Sequence, residues 1–205
     1  MANFGLSLPT IAKLNTNTGK YSDRFKCGKA TNTSVVPNYA TGTLWADNRK
    51  AEDVKEFKDA TVTLGVDSMP IKASDVVFGH KVNEDGTISD RATDEGNYVG
   101  YGFVGREMKE GKKQYRGCIL LKVKFQEGEE SYSTKGDNIT FGTPTLTGSA
   151  EQIGVGTNKE EWRIKSPFFE TEAEAEDWIN KFFDDNSENP GTGGSDTTGS
   201  EQGTE

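Results

Sequence analysis

Alternation with period two runs through much of this chain. In residues 115–125, Tyr115, Gly117, Ile119, Leu121, Val123 and Phe125 share one side, and Arg116, Cys118, Leu120, Lys122 and Lys124 the other. This pattern predicts a long strand with one buried face and one mostly wet face. Glu110-Gly111-Lys112 marks a turn before it, and residues 98–106 (YVGYGFVGR) read as its hairpin partner. Residues 60–67 (ATVTLGVD) form another strand. Residues 138–149 (NITFGTPTLTGS) form one more, in which Pro144 points to an edge or a bulge. Asn83-Glu84-Asp85-Gly86 reads as a hairpin turn; it lacks the D-x-[DN]-x-[DN]-G order of a calcium loop.

Helical spacing occurs twice. Residues 68–80 (SMPIKASDVVFGH) predict an internal helix, with Ser68 as cap, Pro70 in the first turn and Gly79 as the stop. Ile71, Val77 and Phe78 would supply its packed face. Residues 171–183 predict a C-terminal helix. Thr171 followed by Glu174 makes a capping box, and Ala175, Trp178, Ile179, Phe182 and Phe183 form one apolar face. No βαβ rhythm connects these elements. The expectation is a mainly β, antiparallel α+β domain over residues 1–183.

Composition adjusts this picture in three ways. Apolar residues are 32% of the 205-residue chain, and its 24 glycines bring it closer to a globular, turn-rich protein. The net charge is −9, and from Asp184 onward the chain carries acidic residues but neither Lys nor Arg. Residues 184–205 are therefore expected to be a flexible acidic Gly/Ser/Thr-rich tail on a nearly balanced body. An acidic chain is poorly suited to tight nucleic-acid binding, which depends on Lys and Arg. No stretch approaches the roughly 20 apolar residues of a membrane span, and no signal peptide is expected. Cys27 and Cys118 are read as buried free thiols.

Catalytic chemistry is sparse. The lone histidine, His80, is read as a capping or packing residue. The chain lacks G-x-S-x-G, H-E-x-x-H, C-x-x-C and a P-loop. No enzyme activity, cofactor or metal site is expected. Residues 44–59 (LWADNRKAEDVKEFKD) are polar with isolated large apolar side chains, and are read as a long loop that carries anchors to a neighbouring subunit.

The order of several segments narrows the field. LWADN at 44–48 is followed by TLGVD at 63–67, FGH at 78–80 and YVGYGFVG at 98–105. Then come KKQYRGCILLKVKF at 112–125, TKGDNITFGTPTLTG at 134–148 and FETEAEAEDWI at 169–179. Together they resemble the major tail (tail tube) proteins of long-tailed, non-contractile, siphophage-type bacteriophages. The resemblance spans roughly residues 3–183. It implies a β-sandwich or barrel of the tail-tube type whose subunits form hexameric rings stacked into a hollow tube. Its implied partners are further copies of itself, the tape-measure protein, the tail terminator and distal tail proteins, and double-stranded DNA passing through the lumen without specific binding. Its implied location is the virion tail, assembled in the host bacterial cytoplasm. On this reading the inter-subunit contacts are Leu44, Trp45, Asp47, Asn48, Asp53 and Phe57. A wall carrying Arg116, Lys122 and Lys124 would hold DNA, so these residues are expected to face outward or to pair with carboxylates. The alternative from another class is a carbohydrate-binding or surface-adhesion β-sandwich using Trp45, Tyr98 and Tyr101.

Overall fold

A computed structural model gives the fold and describes residues 2–129 and 142–188. Its strands are β1 (Ala2–Asn15), β2 (Lys20–Lys26), β3 (Ala30–Ala46), β4 (Arg49–Val66), β5 (Lys81–Val82), β6 (Ile88–Ser89), β7 (Tyr98–Lys109), β8 (Lys112–Gln126), β9 (Thr145–Glu151) and β10 (Arg163–Lys165). The helices are α1 (Ile71–Val76) and α2 (Glu172–Asp185). One eight-stranded sheet dominates, in the order β2-β1-β7-β8-β9-β4-β3, with β10 attached to β8. All of its pairings are antiparallel, and the sheet does not close on itself.

The sheet curls around a core. Ile11 of β1, Val62 and Leu64 of β4, Tyr101 of β7, Leu120 and Phe125 of β8 and Leu146 of β9 meet in one buried cluster, with Val76 and Val77 at the α1 end. Tyr101 spans this core and donates its hydroxyl proton to Thr33 Oγ1 at 3.1 Å. A second cluster lies on the other side of β1, β7 and β8. There Ala12, Val104, Ile119 and Leu121 pack against Ala175, Ile179 and Phe183 of α2. The helix is fixed at its start by the expected capping box, with the Glu174 N–H donating to Thr171 Oγ1 and Glu174 Oε2 accepting from the Thr171 N–H.

Several expectations need correction. The internal helix is six residues long, not thirteen. Its N-cap is Pro70, whose side chain has no group to cap with, and Ser68, the expected cap, donates to Asp67 instead. Gly79, at φ +72, ends the turn, and its N–H donates to the Asp75 carbonyl at 3.0 Å. The alternating faces of β8 also break. Val99 pairs with Val123 but Tyr101 with Leu120, so β8 holds one extra residue there. This bulge swaps the faces. Ile119 and Leu121 point to α2, whereas Val123 and Phe125 join Leu120 in the other core. Leu120, expected on the mostly wet face, is buried, and so is Cys118 on that face, as expected of its thiol. Pro144 precedes β9 and offers its carbonyl to the Val66 N–H, and β9 is an interior strand between β8 and β4. Residues 138–141 of the expected strand lie outside the described residues. The folded body also extends past residue 183. α2 continues to Asp185, Arg24 meets Asp184 at 2.9 Å, and Tyr21 bonds Asn186 and Glu188 through the backbone. The rest of the expected tail lies outside the described residues.

Candidate assembly surface

Residues 44–59 are not a loop. They are the tip and the outer part of β4 in a long two-stranded ribbon made by β3 and β4, paired from Ala30↔Val66 to Ala46↔Arg49. The turn is Asp47-Asn48, at φ 51 and φ 58. Asp and Asn tolerate left-handed backbone, and two such residues in succession make a tight hairpin turn that matches the strand twist. β9 pairs with β4 only from Ala60 to Gly65, so beyond Ala60 the ribbon leaves the sheet. That free part has a contour of roughly 40 Å at about 3.3 Å per residue. Residues 39–56 are all exposed.

Cross-strand pairing sorts the side chains into two faces. Tyr39↔Phe57, Thr41↔Lys55, Thr43↔Asp53 and Trp45↔Lys50 lie on the face that continues the core side of the sheet. Leu44↔Glu52 and Gly42↔Val54 lie on the opposite face. Trp45 is 66% exposed and Leu44 57%. Asp53 accepts from Lys50 at 2.7 Å and from Thr43 at 3.0 Å, and these two donors hold its carboxyl below the usual range. Phe57 differs from the other expected contacts. It stacks on Trp162 at 4.7 Å and meets Tyr39 edge-on at 6.2 Å, so it anchors the ribbon to its own body. The structure thus brings Leu44, Trp45, Asp47 and Asn48 together at the tip, with Asp53 partway along and Phe57 at the root. Val54, one of the isolated apolar side chains of that segment, is exposed, and Val36 and Tyr39 are further exposed apolar side chains on the ribbon that the sequence reading missed. The Asp47-Asn48 pair, both residues at positive φ, is the signal that could have found the hairpin.

Arg116, Lys122 and Lys124 of β8 are engaged. Lys122 reaches Glu151 at 3.0 Å and lies 4.4 Å from the Tyr98 ring centre. Lys124 is 5.4 Å from the same ring centre. Arg116 donates to the Ser166 carbonyl at 3.0 Å and lies over Phe168. Trp45, Tyr98 and Tyr101 do not form one aromatic platform: Trp45 is at the hairpin tip, Tyr98 lies beneath two lysines, and Tyr101 is fully buried. Both cysteines are buried free thiols, and burial pushes Cys27 up to about 12 and Cys118 up to about 11.

His80 is more than a packing residue. Its Nδ1 lies 3.0 Å from Asp94 and 3.6 Å from Asp90, and its Nε2 lies 3.1 Å from Glu127. The Asp94 bond, chiefly, raises the imidazole above its ordinary value, and Glu127 adds to this against the opposing effect of burial. Asp94 is lowered by His80 and by the Arg91 N–H. The raised His80 contributes stability that is complete below its unfolded value of 6.5 and lost as pH rises through the folded value. The lowered Asp94 contributes stability that is lost as pH falls through its folded value. Wild type is therefore expected to melt lower at about pH 8 than at about pH 6. His80→Gln should remove most of that difference in calorimetric scans, and an unchanged difference would assign it to other groups. No group of His, Cys, Asp and Glu among the described residues is arranged to hold a metal ion, and no described helix is long and apolar enough to cross a membrane.

No protein-family model matches the chain, and no curated protein matches it.

Proposed function

We propose that this chain is the structural subunit of a phage tail tube of the long-tailed, non-contractile type. The observation that carries the reading is the β3–β4 ribbon, which leaves the sheet and exposes Leu44, Trp45 and Val54 to solvent. A two-stranded hairpin is at best marginally stable alone in water, and a long apolar-bearing edge invites pairing with another chain. β3 is also the last strand of the open sheet, so its outer edge has no strand partner among the described residues. A ring of subunits covers such edges, and stacked rings cover the ribbons. The order of sequence motifs supplies the family. On this reading six subunits close each ring, and the tube surrounds the tape-measure protein and then conducts the genome. The pairing of Lys122 with Glu151 favours a wall that releases DNA. Electron microscopy of the purified protein tests the reading. Rings or tubes of uniform diameter are expected. A chain that stays monomeric by light scattering at high concentration, with no rings in any field, would overturn it.

A further inference from the structure

The ribbon needs a receptor, and the surface offers one. A groove of about 580 Å³ opens beside α1. Its apolar part is Met69, Ile71, Phe78 and Ile88, of which Ile71 is 52% and Ile88 40% exposed. Asp90, Glu127 and Glu129 give the groove an acidic rim. Among the described residues, His80 is the only basic side chain that meets this rim, through Asp90 and Glu127.

We infer that the hairpin tip of one copy seats in this groove of the next copy. Trp45 is the anchor. A largely exposed indole at the end of a projecting element fits an apolar groove of this size, and buried aromatic anchors dominate interface energetics. Arg49 supplies the charge match. Lys50 is held by Asp53 within the ribbon, which leaves Arg49 as the cation of the tip without a partner among the described residues, to meet a rim of three carboxylates on the next copy. Geometry prevents a copy from filling its own groove. The tip precedes the first residue of β4 and the groove begins just after its last, and β4 is 18 residues long. At about 3.3 Å per residue the two sites lie on the order of 60 Å apart along the strand. Donor and receptor surfaces are therefore different patches at opposite ends of the molecule. Such a heterologous contact repeats from copy to copy and does not stop at a dimer. The inference rests on the self-assembly reading above and names the receptor surface for it.

Cysteine crosslinking between copies tests the contact. Trp45→Cys protein is mixed with Ile88→Cys protein and oxidised; the native thiols are buried and do not compete. Both positions are exposed, so both variants should melt as wild type does. A disulfide-linked pair is expected from this mixture and not from Trp45→Cys mixed with Thr16→Cys, which lies on an exposed turn outside the groove lining. Ile71→Asp in the receptor copy should abolish the link, and Arg49→Glu in the donor should lower its yield several-fold. Equal linking to Thr16→Cys, no link at all, or a link formed within single copies of the Trp45→Cys/Ile88→Cys double variant would each overturn the docking. So would an Ile88→Cys thiol closed to a small maleimide in the isolated subunit, which would mean that the chain fills its own groove. Tubes without the link would sink the docking alone. The link without rings or tubes would keep the docking and sink the tail-tube reading.

Discussion

Gly100→Val is expected to destabilise the protein by about 3 kcal/mol, at the upper end of typical overpacking costs. The reason is the seat of α2. The helix lies on a patch where β7 presents Gly100 and Gly102 and β8 presents Gly117. A Cβ at Gly100 would come within 2.6 Å of the Tyr21 ring and 2.7 Å of the Phe183 ring. At Gly102 it would meet Ile179 at 2.7 Å, and at Gly117 it would meet Trp178 at 2.7 Å. None of these neighbours is the free end of a flexible chain. Tyr21 is pinned by its hydroxyl, which donates to the Leu121 carbonyl at 2.9 Å, and it packs edge-on against Phe183 with ring centres 5.0 Å apart. Both rings are buried, so relief requires α2 to lift and expose Ile179 and Phe183. The measurement is the urea midpoint at unchanged slope. Gly42→Val is the control. A Cβ there meets nothing within 4 Å, and its effect should stay within about 0.5 kcal/mol. A Gly100→Val variant as stable as that control would remove the close-packed seat as the explanation.

That seat illustrates where sequence reading stops. The α2 helix itself was legible: cap, box and apolar face are all local, and helical spacing encodes them within a few residues. The turns at residues 83–86 and 110–112 were legible for the same reason. The glycines of β7 and β8 were visible only as weak points in a strand, because the side chains that require them are Tyr21, Trp178, Ile179 and Phe183. The bulge in β8 left no trace, since the apolar run through Ile119, Leu120, Leu121 and Val123 looks the same with or without one extra residue. His80 gave no warning of its neighbours, because Asp94 and Glu127 lie 14 and 47 residues away. The ribbon was misread for a different physical reason. A strand that leaves the core has no buried face, so it loses the alternation by which strands are recognised. What remained was the Asp47-Asn48 pair, whose two left-handed residues turn the chain. The residues expected as contacts lie on a paired hairpin and not on a loop, and Phe57 belongs to its root because Trp162, remote in sequence, holds it.

Excising residues 40–56, and joining Tyr39 to Phe57 through Asn-Gly, is expected to leave a folded subunit that no longer assembles. Tyr39 and Phe57 are already paired across the ribbon, so a two-residue turn between them suits the strand ends. Every removed residue is exposed, and none belongs to either buried cluster. The stacked Phe57–Trp162 pair and the Asn38–Asp59 bond at 2.6 Å remain to hold the shortened hairpin. Unfolding free energy should therefore change by only about 1 kcal/mol. Assembly should change completely, because the excision removes Leu44, Trp45, Val54 and Arg49 together. Size-exclusion chromatography with light scattering would then give a single monomer peak, and micrographs would be empty of rings and tubes. The contrast between the two readouts carries the argument. A general folding defect would lower the melting temperature along with assembly, whereas loss of a contact element lowers assembly alone. Tubes of normal length from the shortened chain would show that the ribbon is not what joins the subunits, and the open edge of β3 within the sheet would then have to do so.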